Sequence, residues 1–311
     1  MKDYLKPLAS FKYDVTSQNG EDGIIEEILS RLGVFKKKDN WCVEFGAWDG
    51  KCLSNTYNLI KNRSFNAVLI EGEKLRMKDL DKNHPEKNVH KINTWVTFEG
   101  KNSLDELLSK KNVPINFEFL SIDIDGCDYH ILDSIKLYKP EIICVEYNPM
   151  IPNDVTFIQE KNFSVKQGSS PKALVNLSIK KGYDLVACTY SNLFFVKKEK
   201  LSSVIGNINL TLENLRDDTS LKNYIFPGFD GTLLSNNNEI FLRWHKFSIN
   251  IKEIQYLPKF LRKYRGDYSP WEKKALLFYR ATRNPIKAFK SILKRLSFSK
   301  KKEKEKENKK V

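Results

Sequence analysis

Acidic side chains crowd the point where one apolar run of the sequence ends. Residues 120–130 read LSIDIDGCDYH, so Asp123, Asp125, Asp128 and His130 follow directly on a strand-like segment. Burying an unpaired carboxylate is costly, so these acids are expected to meet water, a ligand or a metal ion. A carboxylate, or an imidazole with an unperturbed pKa of about 6.5, can act as a general base. The segment therefore predicts a catalytic site in which Asp125, Asp128 or His130 removes a proton.

The same residue types fit two further roles, and their spacing leaves both open. Asp125 or Asp128 can cap the amino terminus of the following helix, with His130 on the surface of that helix. Asp123, Asp125 and Asp128 can instead gather Mg²⁺, because this ion prefers oxygen ligands.

A glycine turn follows the first predicted strand. VEFGAWDG, residues 43–50, contains the spacing Gly46-x-x-x-Gly50, which lets a backbone approach a ligand closely. A pyrophosphate site needs bare backbone N–H groups at a helix N-terminus, and acids would repel the phosphates. Acids suit a ligand with a cationic amino-acid end and hydroxyl groups, which describes S-adenosylmethionine. The residues expected to hold its methionyl end are Glu44, Gly46, Asp49 and Gly50, unless the segment is an ordinary turn with solvated acids.

Polar residues also end other predicted strands. Glu71 ends the second strand, where a carboxylate can accept hydrogen bonds from both ribose hydroxyls, as in dinucleotide-binding folds. Asn93 and Thr94 follow the third strand and are expected near the adenine. Glu146 and Asn148 end the fifth strand and are predicted to face the substrate, unless they form an ordinary strand exit.

Short apolar runs alternate with amphipathic segments along most of the chain, as in βα units around a parallel sheet. A Thr-Tyr-Ser turn separates the last two runs, which predicts an antiparallel hairpin. The fold class is therefore α/β, with a Rossmann-like methyltransferase sheet that is mostly parallel and is closed by this hairpin. Ligands of such sheets bind at the carboxyl ends of the strands, where Asp123 is expected to border the cofactor crevice. The predicted strands cover residues 41–45, 67–71, 89–92, 117–123, 141–147, 183–188 and 192–198.

Three helices have recognisable terminal signals. The apolar periodicity of residues 21–32 predicts a helix that ends at Gly33. Ser103 and Glu106 predict a capping box at the start of a second helix. Ser170, followed by proline, predicts the N-cap of a third.

The chain is predicted to comprise four segments. Residues 1–200 form the methyltransferase domain, and residues 201–270 form a loop-rich extension that packs on it and is a candidate cover for the acceptor site. Residues 271–296 are predicted to be two basic amphipathic helices, with Asn284 as the N-cap of the second. Residues 297–311 are low-complexity charge and are predicted to be a disordered basic tail.

The net charge of +14 is concentrated at the C-terminal end of the chain. Residues 252–311 contain 20 Lys and Arg against 6 Asp and Glu, whereas residues 1–251 contain 33 of each kind. The neutral body argues against a nucleic-acid groove, and the basic end favours peripheral contact with an anionic membrane. The five cysteines show no CxxC spacing and are interpreted as reduced thiols, and no signal peptide or membrane-spanning run is recognisable. A cytoplasmic protein is therefore expected, with peripheral contact at the inner membrane face.

Six short segments, in this order, resemble the FkbM-type S-adenosylmethionine-dependent methyltransferases. They are SQNGED, VEFGAWDG, SNT, LSIDIDGCDY, VEYN and GYDLVACTYSNLFFV, and the resemblance covers roughly residues 14–200. It implies a Rossmann-like methyltransferase with S-adenosylmethionine as cofactor and a sugar or glycan hydroxyl as acceptor, commonly in polysaccharide, glycolipid or natural-product pathways. Cys127 departs from the pattern, because Asn is expected there in close relatives, and this departure bears on substrate contact more than on cofactor binding.

Two other functions fit parts of the sequence. DIDGC and FDGT, residues 123–127 and 229–232, are similar to the Asp-x-Asp-x-Thr loop of haloacid-dehalogenase-type phosphatases, although that loop usually follows the first strand of its sheet. A non-catalytic adaptor could keep the fold and use the basic C-terminal end as a membrane tether. Glu44, Asp49 and Glu71 favour the enzyme over the adaptor.

Overall fold

The computed structural model describes residues 6–287 and residue 290. These residues form two compact units, unit 1 up to Lys222 and unit 2 from Asn223 onward. Residues 201–222, predicted as the start of the extension, therefore belong to unit 1. The predicted tail at 297–311 and most of the predicted second amphipathic helix lie outside the described residues.

Unit 1 is built on a seven-stranded sheet with the order β3-β2-β1-β4-β5-β7-β6. Strands β1 to β5 pair in parallel, and β7 runs antiparallel to both β5 and β6. This is the predicted Rossmann-like methyltransferase sheet with its closing hairpin. The strands are β1 (Trp41–Phe45), β2 (Asn66–Glu71), β3 (Val89–Asn93), β4 (Phe119–Ile122), β5 (Ile142–Glu146), β6 (Tyr183–Cys188) and β7 (Asn192–Lys197).

Helices cover both faces of this sheet, as expected for a mainly parallel sheet with apolar strands. One face, called here the α1 face, packs against α1, α2, α3 and α7, and the opposite face packs against α4, α5, α6 and α8. The helices of unit 1 are α1 (Glu21–Arg31), α2 (Tyr57–Arg63), α3 (Arg76–Asn83), α4 (Leu104–Ser109), α5 (Asp128–Ser134), α6 (Pro171–Lys180), α7 (Leu201–Ile205) and α8 (Leu212–Leu215).

Two of the three predicted helix-end features are confirmed, and one is wrong. Helix α1 ends before Gly33, which is left-handed with φ 69°, and the Ser170 side chain of α6 accepts from Ala173 N. Ser103 is the N-cap of α4 but makes no side-chain capping bond, so the predicted capping box is wrong. The physical reason is that the Ser103 N–H already donates to Gly100 O at 2.9 Å and is not available to a glutamate.

Unit 2 contains two small antiparallel hairpins and one longer helix. Asn284 is the C-cap of α9 (Pro270–Arg283), and residues 285–287 directly after it are again helical, so it separates two helical stretches as predicted. Ser269 with Glu272 forms the capping box that begins α9. The FDGT segment is the turn of the first hairpin, where the Asp230 carboxylate accepts from Thr232 N and Thr232 Oγ1. The elements are β8 (Ile225–Pro227), β9 (Leu233–Ser235), β10 (Glu239–Leu242), β11 (Phe247–Asn250) and α9 (Pro270–Arg283). Within the described part of the chain, no helix is long and apolar enough to cross a membrane.

Gly46 marks a very close approach of the β1 end to the β4 end, and this contact yields a stability prediction. Gly46 has φ 75°, and a Cβ built there would lie 1.7 Å from Asp123 O. Gly100 has nearly the same φ, 77°, but open space around its Cβ position, so it is a matched control. Left-handed strain alone costs about 1–2 kcal/mol, and the backbone clash adds to it at Gly46 only.

We expect Gly46→Ala to lower the free energy of unfolding by at least about 2 kcal/mol more than Gly100→Ala. Denaturant unfolding of the two variants and the wild type measures this difference. Equal losses in the two variants would contradict the close approach of β1 and β4.

Candidate active site

Four carboxylates stand at the carboxyl ends of neighbouring strands on the same face of the sheet. Side chains alternate between faces along a strand, and Cys42, Leu69 and Cys144 belong to the core of the α1 face. In β1, β2 and β5, Glu44, Glu71 and Glu146 each lie two residues after one of these core residues and so share its face. Asp123, just after β4, lies four residues after Phe119, which belongs to the same core. These four strands are neighbours in the sheet, in the order β2-β1-β4-β5. Two of these acids are held by internal hydrogen bonds, whereas the other two lie in a carboxylate cluster.

The carboxylate cluster consists of Asp123, Asp125 and Glu146. One oxygen of each residue lies within 4.8 Å of the others. Asp123 directly follows β4 and Glu146 ends the adjacent strand β5, so the sheet itself brings these two together. Asp125 is exposed and has a left-handed backbone with φ 55°, which turns the loop after β4 back over the strand ends. The sequence placed Glu146 at the substrate rim, but the structure groups it with the acids of the β4 loop.

The cluster is electrostatically unfavourable when all its carboxyl groups are ionised. Burial, together with the charges of Asp123, Asp128 and Asp125, raises the pKa of Glu146 strongly. Burial also raises the pKa of Asp123 to about 6, with further contributions from Asp125 and Glu44. Carboxyl groups that share a site cannot all ionise unless a cation compensates. The cluster therefore favours either a bound proton or a bound cation.

Asp128, a predicted catalytic residue, is turned toward its own loop. Its two carboxylate oxygens accept from Ile124 N and Gly126 N, both at 2.9 Å, and the residue is buried. Burial, followed by the charge of Asp123, raises its pKa to about 7. Asp128 is the first residue of α5, and Cys127 is the N-cap. This geometry favours a role for Asp128 in shaping the turn over the predicted removal of a proton.

His130, the other predicted base, is tied to the loop that follows β5. Its Nε2 lies 2.8 Å from Gln159 O. A carbonyl oxygen can only accept, so this contact assigns the proton to Nε2 and leaves Nδ1 as the basic nitrogen. The ring also packs edge-on against Phe98 and Tyr129. Asp125, which is exposed within the carboxylate cluster, is better placed to accept a proton.

Glu44, predicted to contact the cofactor, holds the SNT segment instead. Its carboxylate accepts from Ser54 Oγ at 2.6 Å, Thr56 Oγ1 at 2.7 Å and Asn55 N at 2.8 Å. The side chain is 5% exposed, and burial raises its pKa against the opposing effect of these bonds. The carboxylate is thus occupied by the loop that leads into α2, which favours a structural role.

The glycine turn is held by its own acid. Asp49 Oδ1 accepts from Lys51 N at 2.9 Å and Cys52 N at 2.7 Å, so this side chain forms a local turn. At Gly50, where φ is 70°, a Cβ would lie 2.4 Å from Leu80 Cδ1. The turn is therefore compact. Because Asp49 accepts hydrogen bonds within the turn, the geometry favours a structural role for it over the predicted contact with the methionyl end.

Glu71 connects the ends of β1 and β2. Its Oε2 accepts from Trp48 N at 2.8 Å and its Oε1 accepts from Glu73 N at 2.7 Å. Each carboxylate oxygen keeps a second lone pair, so the group can still accept from a ligand hydroxyl. Asn93 Nδ2 and Thr94 N both donate to Glu71 O, at 2.9 Å and 3.0 Å. The residues predicted for ribose and adenine are therefore adjacent in the structure.

Asn148, predicted to face the substrate, is used by the long loop after β5. Its Nδ2 donates to Gln167 O at 2.7 Å, and its Oδ1 accepts from Met150 N at 2.8 Å. Both ends of the amide are thus engaged in holding the loop. This arrangement favours a structural role for Asn148 rather than direct contact with a substrate.

Several residues near the strand ends escaped the sequence reasoning. Gln159 is buried, with Nε2 donating to Cys127 Sγ at 3.1 Å and Oε1 accepting from Gly168 N at 2.8 Å, and it connects the β4 loop with the loop after β5. No spacing signal in the sequence identifies it. The rings of Trp48 and Trp95 are exposed at the ends of β1 and β3. The signal in the sequence that could have identified them is a tryptophan placed two or three residues after a predicted strand that ends in polar residues.

A cavity in unit 1 lies away from these residues. It has a volume of about 340 Å³ and lies between α6, β6 and residues 201–213, with Val175, Leu185 and Leu210 in its wall. None of the predicted site residues lines it. The chemistry-bearing side chains, rather than this cavity, define the candidate site.

Comparison with known proteins finds remote structural similarities only. No protein-family model and no curated protein sequence matches the chain. Among solved structures, it is similar to M. capricolum TrmK in complex with S-adenosyl-homocysteine, with 14% identity over 62% of this chain and 78% of that chain and a TM-score of 0.36. It is also similar to the mitomycin 7-O-methyltransferase MmcR, with 14% identity over 56% of this chain and 54% of that chain and a TM-score of 0.32. A third similar structure is a SAM-dependent methyltransferase from Aquifex aeolicus, with 10% identity over 54% of this chain and 89% of that chain and a TM-score of 0.31.

These similarities are too remote to transfer a function. The strand order and the closing hairpin of the chain itself carry the assignment of a Rossmann-like methyltransferase fold.

The electrostatics of the carboxylate cluster predict an unusual effect of Glu146→Gln on stability. The pKa of Glu146 is higher in the folded protein than in the unfolded chain. At acid pH the residue is protonated in both states, and its protonation costs nothing on folding. As the pH rises above the pKa of the unfolded chain, the need to keep Glu146 protonated in the folded protein lowers the free energy of unfolding. The neutral glutamine avoids this cost. We expect the variant to be more stable than wild type at pH 8, with an advantage at least about 1 kcal/mol larger at pH 8 than at pH 5.

Glu141→Gln is the matched control, because Glu141 lies just before the same strand and pairs with Lys197 Nζ at 2.8 Å. That variant should be neutral or less stable at both pH values. Thermal unfolding at pH 5 and pH 8 measures both variants, and a destabilised Glu146→Gln at pH 8 would refute the electrostatic argument.

Proposed function

We propose that the chain is an FkbM-type S-adenosylmethionine-dependent O-methyltransferase that acts on a hydroxyl group of a sugar or glycan precursor. The observation that carries this proposal is the carboxylate cluster at the carboxyl ends of β4 and β5, on the same edge of the sheet as Glu71 at the end of β2. Open α/β sheets bind their ligands at this edge. A cluster that is short of positive charge suits a cofactor with an ammonium and a sulfonium group.

The residues around β1, β2 and β3 fit the cofactor in a definite order. The turn from Gly46 to Gly50 would border the methionyl end, and Glu71 would accept hydrogen bonds from the ribose hydroxyls through its remaining lone pairs. Asn93 and Thr94 are close to the end of β2, where the adenine is expected. Asp123 is the carboxylate proposed to face the positive charge. When bound, S-adenosylmethionine supplies an electrophilic methyl group.

The chain must then orient an acceptor oxygen and remove its proton. Methyl transfer is an in-line displacement, so positioning of the acceptor contributes much of the rate. Asp125 is exposed and belongs to the carboxylate cluster, so we assign it the role of general base. The Asp125 carboxylate would take the proton of the acceptor hydroxyl, and S-adenosylmethionine would supply the methyl group and leave as S-adenosylhomocysteine. Glu146 would accept a hydrogen bond from the acceptor or share the proton of the cluster.

The sugar or glycan acceptor is proposed from the resemblance of the six sequence segments to the FkbM-type family. The contacts described above explain two of those segments in physical terms. SNT binds the buried Glu44 carboxylate, and LSIDIDGCDY forms the β4 loop with the carboxylate cluster. We also propose a cytoplasmic location, in keeping with the cysteines, which are free thiols.

A divalent cation is a second proposed ligand of the same site. The sequence suggested Asp123, Asp125 and Asp128 as its ligands, but Asp128 binds its own loop. The three oxygens that lie within 4.8 Å of one another belong to Asp123, Asp125 and Glu146. Carboxylate oxygens in this number suit Mg²⁺, which usually keeps several waters. In this version, the ion would orient the acceptor hydroxyl and lower its pKa.

The phosphatase and the adaptor fit the structure less well. The FDGT segment is a hairpin turn in unit 2, and DIDGC follows the fourth strand rather than the first. A non-catalytic adaptor has no use for a carboxylate cluster whose mutual repulsion destabilises the fold. Acid-labile phosphoenzyme would support the phosphatase instead.

Isothermal titration with S-adenosylmethionine and S-adenosylhomocysteine tests the cofactor. We expect micromolar affinity for the wild type and at least a tenfold loss, about 1.4 kcal/mol, in Glu71→Gln. Glu73→Gln is the matched control, because Glu73 lies two residues further along and its side chain is exposed. It should bind as the wild type does. A flat trace for the folded wild type would reject the methyltransferase proposal.

Thermal unfolding with and without millimolar MgCl₂ tests the cation. Protons compete with the ion, and the Asp123 pKa is raised to about 6, so the stabilisation by Mg²⁺ should be larger at pH 8 than at pH 5.5. Asp125→Asn should abolish the shift, whereas Asp133→Asn, an exposed acid of α5, should keep it. The same shift with NaCl at equal ionic strength would show that no specific cation site exists.

A further inference from the structure

Unit 2 buries few apolar side chains and exposes many. The buried hydrophobic side chains among its described residues are Ile251, Leu261 and Tyr268. Its exposed ones occur on both hairpins, on α9 and on the segments between them. Large exposed apolar surface in a folded unit usually marks an interaction site.

Strongly exposed aromatic residues lie at the tips of the two hairpins. Phe229, in the turn between β8 and β9, is 97% exposed. Trp244, in the turn between β10 and β11, is 66% exposed, and Phe247, the first residue of β11, is 61% exposed. Arg243 and Lys246 flank Trp244 in the sequence. Each hairpin thus presents an aromatic side chain at its tip, and the second adds basic residues beside it.

Helix α9 repeats this combination along its length. None of its residues is buried. Trp271 and Phe278 are 65% and 73% exposed, and Lys273 and Lys274 lie between them in the sequence. The Arg283 guanidinium lies over the rings of Tyr256 and Tyr279, which is a cation–π arrangement.

The charge of the described part of unit 2 is positive. Residues 223–287 contain 12 Lys and Arg against 5 Asp and Glu. Tryptophan and tyrosine favour the boundary between membrane and water, where an apolar ring and a polar group are both satisfied. Each Lys or Arg near an anionic bilayer adds up to about 1 kcal/mol of attraction.

We propose that unit 2 binds the surface of a bilayer that contains anionic phospholipid, with Phe229 and Trp244 inserted at the level of the headgroups. Aliphatic side chains such as Leu277 and Ile286 are also exposed, at 60% and 72%. These favour a bilayer over a nucleic acid, because an aliphatic group offers no stacking surface to a base. The positive charge disfavours a second copy of the chain, which would meet it with the same sign. The proposal is independent of the methyl-transfer proposal.

Co-sedimentation of the full chain with vesicles tests this surface. We expect binding to vesicles of phosphatidylcholine and phosphatidylglycerol, weak binding to phosphatidylcholine alone, and loss of binding at high salt. The double variant Phe229→Ala/Trp244→Ala should reduce partitioning at least tenfold. The control Ile115→Ala/Leu137→Ala removes two side chains of unit 1 that are each 48% exposed, and it should bind as the wild type does.

Two further measurements separate this surface from the basic tail and from other partners. A chain that lacks residues 297–311 should retain binding that depends on Phe229 and Trp244. If the deletion abolishes binding while the double variant binds normally, the tail alone is responsible and the proposal is wrong. Equal binding to neutral vesicles, or self-association or nucleic-acid binding without vesicle binding, would also overturn it.

Discussion

The structure of unit 1 depends on one constraint: several carboxylates must be accommodated at the carboxyl end of a buried sheet. The acids meet this constraint in two ways. Glu44 and Asp128 have both carboxylate oxygens occupied by internal donors, so their charge is compensated within the protein. Asp123 and Glu146 lie close together, and burial raises the pKa of both. The first group builds the loops, and the second group needs a proton or a ligand from outside.

Segments far apart in the sequence hold these loops in place. Asp22 Oδ2 accepts from the backbone N–H groups of Val15, Thr16 and Ser17, which holds residues 15–17 against the start of α1. Thr16 Oγ1 donates to Ser54 O, so residues 15–17 also contact the loop that binds Glu44. On the other side, Glu21 accepts from Thr189 Oγ1 at 2.6 Å, in the turn of the closing hairpin. Buried polar groups that are satisfied in this way rigidify a site, which explains why these short polar segments accompany the carboxylate cluster.

The strands could be predicted from the sequence because their apolar runs are long and end in polar residues. The bounds of β1 and β6 agree with prediction, and the acids at the strand ends were correctly expected to gather at one edge of the sheet. The roles of Glu44, Asp49 and Asp128 could not be predicted, because they depend on which backbone N–H groups point at each carboxylate. In the β4 loop, the left-handed backbone of Asp125 determines which N–H groups point at a carboxylate. Aspartate tolerates that conformation but does not require it, so the residue type alone does not predict it. Gln159 was missed for a related reason: a buried glutamine in a long loop leaves no periodic signal.

The two units use charge in opposite ways, and this has a consequence for how their interactions respond to salt. In unit 1 the carboxylates lie close together on a half-buried sheet edge, where added salt screens them weakly. In unit 2 the basic residues are distributed among exposed aromatic side chains, where the Debye length of about 10 Å at 0.1 M salt limits their reach. Ionic strength should therefore weaken contact with an anionic surface well before it affects a cation held by Asp123, Asp125 and Glu146. The proposed chemistry and the proposed membrane contact thus depend on separate sets of charges, although one chain carries both.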